Sequence, residues 1–408
     1  MYNIYYFLII SFVLIFFIFD KFVDYLNTLN WSDKIPWELL WIYDEEKYLE
    51  SQKYEKVKHK FSNISSIFSF FVTILVLVFW WFWFLDNLLR NYISNQIILW
   101  LAFFWVISFL QTLIWLPFSY YQTFVIEEKF GFNKSTKKIF FLDVIKSLLL
   151  TFVIWWLLLA LIIWIYTIVW VNFWYYAWII LTLFSIFAVM FYSNFIVPLF
   201  NKQTPLEDWE LKTAINEFAS KVWFKLDNIY VIDWSKRSSK ANAYFSWFWP
   251  KKRIVLYDTL ISSLTIEELV AVLAHEIGHY KKKHTLKMIL FSILQTGFIL
   301  FLFSIIIDNK DISTALWSNF SSFHIWSIAF WILFTPLSLI LWILGNILSR
   351  KHEYEADNYA KINYNWEYLI SWLKKLWVNN LTNLKPHWVY EFIHYSHPTL
   401  LKRIKALK

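Results

Sequence analysis

Residues 271–284 read AVLAHEIGHYKKKH and run without a break into TLKMILFSILQTGFILFLFSIII at 285–307. The first stretch holds two histidines four apart with a glutamate between them. The second is long and apolar enough to cross a bilayer, which takes roughly 20 residues. Helical residues four apart share a face, so His275 and His279 can present two imidazoles to one Zn²⁺, with Glu276 projecting one step around toward the attacking water. A hydrolytic metal motif placed at the mouth of a membrane span predicts a mainly α, polytopic membrane protein. A small α+β portion carrying the motif then sits at one membrane surface.

The rest of the chain agrees with this reading. Of its 408 residues, 59% are hydrophobic, against roughly 45–50% in globular chains. Cysteine is absent, so a metal must be held by His, Asp or Glu. The net charge of +8 comes from Lys and Arg in loops between apolar runs, a pattern of membrane topology and not of nucleic-acid binding. Nothing marks an oligomeric state.

About seven runs approach spanning length, at 2–19, 67–85, 97–118, 145–169, 173–199, 285–307 and 323–348. The first lacks a basic flank and a small-residue cleavage site, and reads as a span, not a removed signal peptide. The loop after it carries Lys21, Lys34, Lys47, Lys53, Lys56, Lys58 and Lys60, the next only Arg90, the third Lys129, Lys134, Lys137 and Lys138, and the sixth only Lys310. Under the positive-inside rule this alternation puts the N-terminus outside, and the C-terminus and metal motif in the cytoplasm. Two domains are expected: 1–199 with about five spans, and 200–408 carrying the metal motif, two further spans and C-terminal cytoplasmic helices. Within the latter, NIYVID and KKRIVLYDTLI read as strands, PLEDWELKTAINEFASKV and TIEELVAVLAHEIGHYKKK as helices.

A catalytic zinc needs a third protein ligand and an open position. The candidate is Glu353 in SRKHEYEADNYA, with Asp357 four residues on, on the same face, placed to accept a hydrogen bond from a ligand histidine. His352 and Glu355 are rival ligands without Asp357 at that spacing. His59, His284, His324, His387 and His394 fall at no motif spacing and read as ordinary polar residues.

Several segments together carry a resemblance: FVIEEKFGFNKST (124–136), PLFNKQTPLED (198–208), SKRSSKANAYF (235–245), HEIGHYKKKH, SRKHEYEAD and YSHPTLLKRI (395–404). Over nearly its whole length the chain resembles the type I CAAX prenyl endopeptidases, membrane-embedded zinc proteases. The resemblance implies seven helices around an intramembrane chamber, with the zinc site on its cytoplasmic side. It implies His275, His279 and Glu353 as ligands of one Zn²⁺ per chain and Glu276 as general base. It also implies Asn242 and Ala243 as an edge that binds the substrate backbone as an added strand, His397 as donor to the oxyanion, and Arg403 as the group orienting His397 or the substrate. Expected partners are the lipid bilayer and peptide or protein substrates, including C-terminal or lipidated ones, at a bacterial plasma membrane. Two other readings stand beside this one. A transporter or receptor with a structural metal would show a fourth protein ligand, and a heat-shock-type membrane zinc protease would be shorter, without FVIEEKFGF.

Glycine numbers only 4, whereas tryptophan reaches 28; average glycine usage is about 7%. Trp41, Trp209, Trp223, Trp234 and Trp247 stand where the resembled family has glycine. This pattern is expected of a gene that reads UGA as glycine, translated with a code that reads it as tryptophan.

Overall fold

The computed structural model describes residues 3–42, 44–207, 209–226, 228–240, 243–246 and 253–408. The membrane part is built from helices α1 (Ile4–Thr28), α2 (Glu45–Val78), α3 (Trp81–Arg90), α4 (Gln96–Tyr121), α5 (Lys137–Val169) and α6 (Phe173–Phe191), and the short α7 (Val197–Phe200) leads out of it. There follow α8 (Trp209–Lys221), α9 (Asp258–Ile261), α10 (Ile266–Lys281), α11 (His284–Ile306), α12 (Lys310–Ala315), α13 (Phe323–Leu333), α14 (Thr335–Asn363), α15 (Trp366–Asn379), α16 (Trp388–His394) and α17 (Leu400–Leu407).

Among the described residues, six segments are long and apolar enough to span: Ile4–Thr28, Glu45–Val78, Gln96–Glu127, Lys137–Val169, Phe173–Phe200 and His284–Ile306. α13 and α14 make a seventh if taken together, but they meet at 60°. The expected straight run at 323–348 is therefore corrected to a broken one. Pro336 explains the break, because it lacks an N–H and clashes with the preceding turn, and it is tolerated only at the start of a new helix. The expected span at 67–85 also changes: α2 starts at Glu45 and stops at Val78, and Trp80 turns left-handed before α3. At 1.5 Å per residue α2 is about 50 Å long, well beyond a ~30 Å hydrocarbon core. Its lysine-bearing first half is thus outside the lipid.

Between 6% and 22% of each apolar window in the six spans is buried within the protein. Helices so little covered by one another leave most of their surface open, to lipid or to space within the bundle. Two cavities between α4 and α5, of about 740 and 780 Å³, share Ser108, Gln111, Leu148 and Thr151. The first is lined by polar groups such as Thr112, Glu127, Asn133 and Arg237, and the second by Phe152, Trp155, Phe303 and Trp331.

Outside the bundle, strands β1 (Gln203–Pro205), β2 (Asn228–Ile232), β3 (Ala243–Ser246) and β4 (Arg253–Tyr257) form one sheet in the order β1-β2-β4-β3. β2 and β4 run parallel; the outer pairs are antiparallel. The core of this part wraps α10, whose Leu269, Val270, Ala271, Val272, Leu273, Ala274 and Ile277 are all buried. A helix apolar all round must be central. Its start is fixed by a capping box, Thr265 with Glu268. The buried Glu268 carboxylate also accepts from Lys375 at 2.7 Å and Ser371 at 2.6 Å on α15, which locks α10 against that helix.

Candidate metal centre

α10 presents His275 and His279 from successive turns, and α14 presents Glu353. What brings the two helices together is Gly278: a Cβ there would lie 3.0 Å from the backbone Cα and O of Ala356 and 3.1 Å from Tyr359 Cβ. Backbone packs directly on backbone, and only glycine permits it. Across this contact His275 Nε2 and His279 Nε2 are 3.1 Å apart, while Glu353 lies 3.5 Å from the first and 3.4 Å from the second. The three ligand atoms fall within 4.8 Å of one another. Two imidazoles and a carboxylate, all turned to one point, form a donor set suited to a divalent metal with a position left open. His352 and Glu355, the rival ligands, face away from this point toward His284.

Around the trio lies a buried ionic frame. His275 Nδ1 is 2.9 Å from Asp357 Oδ1, and Arg403 donates from Nε and Nη2 to the two Asp357 oxygens at 2.8 and 2.6 Å. Arg403 Nη1 is also 3.3 Å from Glu353 Oε2. Burial opposes the Arg403 charge, but Asp357 and Glu353 outweigh it and hold the guanidinium protonated. Arg403, at 4% exposure, thus grips the carboxylates of both Asp357 and Glu353. Burial likewise disfavours a proton on His279, yet the Glu353 hydrogen bond and the Glu276 charge raise its pKa. A metal held here would compete with that proton.

Glu276 is half-buried beside the ligands. His397, in the turn between α16 and α17, has its Nε2 3.4 Å from Glu353 Oε1, accepts or donates with Ser396 Oγ at 2.9 Å through Nδ1, and is 58% exposed, on the open face. Ala243 begins β3, the outermost strand, paired with Leu256. Asn242 and Trp247 lie outside the described residues. The approach to β3 is tied to the bundle by contacts that sequence reading missed. Arg237 donates to both oxygens of Asp143 on α5 at 2.9 Å, and Lys240 donates to Glu127 at 2.7 Å and to the Tyr54 hydroxyl at 2.8 Å. Acidic residues at the ends of apolar runs were the available signal.

Residues 24–202 match the family model for the CAAX prenyl protease N-terminal portion, five membrane helices, and residues 205–408 match peptidase family M48. The chain belongs to the CAAX prenyl protease family. Among its relatives is CAAX prenyl protease 1 of Saccharomyces cerevisiae, 37% identical over 96% of this chain and 92% of that one. The Homo sapiens CAAX prenyl protease 1 homolog is 34% identical over 92% and 88%. The crystal structure of S. mikatae Ste24p superposes with a TM-score of 0.93 at 37% identity, covering 100% of this chain and 99% of that one. As a member of the CAAX prenyl protease family, the protein is a multi-pass membrane metalloendopeptidase, and the match at 24–202 contains the FVIEEKFGF segment that a heat-shock-type protease is expected to lack.

Proposed function

We propose that the protein is a zinc endopeptidase of a bacterial plasma membrane, with one Zn²⁺ per chain held by His275, His279 and Glu353. The observation that carries this reading is the convergence of those three ligand atoms beside Glu276, with the exposed His397 on the open face. Bound zinc supplies Lewis acidity toward a water and a peptide carbonyl. Glu276 takes the proton of the attacking water and delivers it to the leaving amine. His397 donates to the oxyanion as it develops. Asp357 holds the His275 tautomer and Arg403 holds Asp357. The Asn242–Ala243 edge receives the substrate backbone as an added strand, a mode that sets register with little demand on side chains; the outermost place of β3 supports it.

The division falls at about residue 200, with a membrane domain before it and the peptidase domain after it. The substrates are peptides and proteins reached from the chamber or the cytoplasm, and the role is membrane-protein quality control or peptide processing, with CAAX-type C termini a subset. The experiment is hydrolysis of two matched peptides, one prenylated and one not, by purified protein with and without chelator. Metal-dependent cleavage of both is expected. Cleavage of the prenylated peptide alone would confine the activity to CAAX processing.

The lysine-rich loops support an N-terminus outside and a catalytic face inside. Impermeant labelling of intact cells is expected to reach a tag near Lys310 and to miss tags near Lys53 and at the C-terminus. The opposite labelling would put the metal centre outside.

A further inference from the structure

His284, the first residue of α11, is 3% exposed, and its spacing in the sequence suggests no role. An elbow places it. α10 ends at Lys281, and Lys283 takes φ +56° before α11 begins. The chain therefore turns within a few residues and His284 comes back against His279. Nδ1 of His284 lies 2.9 Å from Nδ1 of His279, and its Nε2 lies 2.9 Å from Oε2 of Glu355. His352 stacks on the ring, centroids 4.1 Å apart and planes at 12°.

The proton positions follow. The His279 Nε2 faces Glu353 and His275, so as a ligand His279 carries its proton on Nδ1 and donates it. His284 Nδ1 is then the acceptor, and its own Nε2–H donates to Glu355. One neutral tautomer of each ring satisfies both bonds.

We propose that His284 is the positioning residue of His279: it fixes the tautomer and ring plane of that ligand, as Asp357 does for His275, and Glu355 orients His284 in turn. The proposal rests on the metal-centre reading above. The two ligand histidines are held by groups of different charge, an ion-paired carboxylate behind one and a neutral imidazole behind the other.

The test is zinc affinity of the full-length protein in detergent, measured by competition with a chromophoric chelator, together with the visible spectrum of the Co²⁺-substituted protein. His284→Leu is expected to weaken zinc binding about 10- to 100-fold and to shift the cobalt bands. His284→Asn, whose amide oxygen can stand near the lost Nδ1, is expected to restore most of both. Equal losses in the two variants would overturn the acceptor role and leave packing alone. Glu353→Ala separates the levels. If it abolishes binding while His284→Leu binds as the parent does, only the positioning role fails; if neither changes affinity, the metal-centre reading itself fails. Should His284→Leu not fold, Glu355→Ala, which removes the acceptor, reads the same chain from a side chain 30% exposed. A smaller loss of affinity is expected there, and none would overturn the relay.

Discussion

Glu276→Gln is expected to keep its zinc while losing about 10²- to 10⁴-fold in kcat; Glu353→Ala is expected to lose metal and activity together. The two carboxylates differ in what they touch. Glu353 lies within 3.5 Å of both ligand histidines, whereas Glu276 stands one residue along the helix from His275 and acts on the trio by its charge. Glutamine preserves the volume of Glu276 and removes only the proton acceptor. Metal analysis alongside initial rates decides the matter: zinc lost from Glu276→Gln would make that residue structural, and full zinc in Glu353→Ala would move the third ligand elsewhere.

Replacing Trp80, Trp170, Trp223 and Trp317 with glycine is expected to stabilise the protein by an amount comparable to a domain's whole margin. Among the described residues, seven non-glycine residues have positive φ, and four of them are these tryptophans. Trp170 is the extreme case, with φ 51° and ψ −119°, a combination closed to residues bearing a Cβ. Trp223 and Trp317 end helices with the hydrogen-bond pattern that Gly131 makes. In each, the residue after it bonds back five positions, Phe224 to Ala219, Ser318 to Ser313 and Phe132 to Glu127. That left-handed capping position belongs to glycine. At roughly 1–2 kcal/mol per left-handed residue, the four cost on the order of 4–8 kcal/mol, against typical stabilities of about 5–15. Trp223 is the cleanest single test, being 91% exposed with almost no packing to lose. Denaturation of the four-fold variant in detergent, set beside codon sequence and peptide masses of protein from the source, checks the argument. No gain in stability, or UGG codons at these positions, would end the recoded-glycine explanation. Of the described positions singled out from the sequence, only Trp223 has positive φ; Trp41, Trp209 and Trp234 do not, and Trp234 sits in a 3₁₀ turn.

The metal helix and the Glu353–Asp357 pair could be read from the sequence because both depend on spacing four within one helix, which needs no tertiary knowledge. Arg403 meets Asp357 from 46 residues away, and its partner could not be deduced from pattern. His284 was passed over because its return to His279 hangs on one left-handed residue, Lys283, of a type that gives no warning of such a turn. Apolar runs located the spans but not their ends. Hydropathy marks only the lipid-facing length of α2, and it is blind to a bend such as that at Pro336, where composition stays apolar on both sides.

The ligands also have a topological consequence. His279 and Glu353 stand at the two mouths of a long excursion in which the chain crosses the membrane along α11, turns through α12, and returns by α13 and α14. In polymer terms, an ion binding both residues is a crosslink that closes this excursion into a ring, and closure entropy grows only slowly with ring length. One bound ion can thus staple two membrane crossings almost as economically as a short hairpin. Metal occupancy is then a tether on the wall of the chamber as much as a reagent within it.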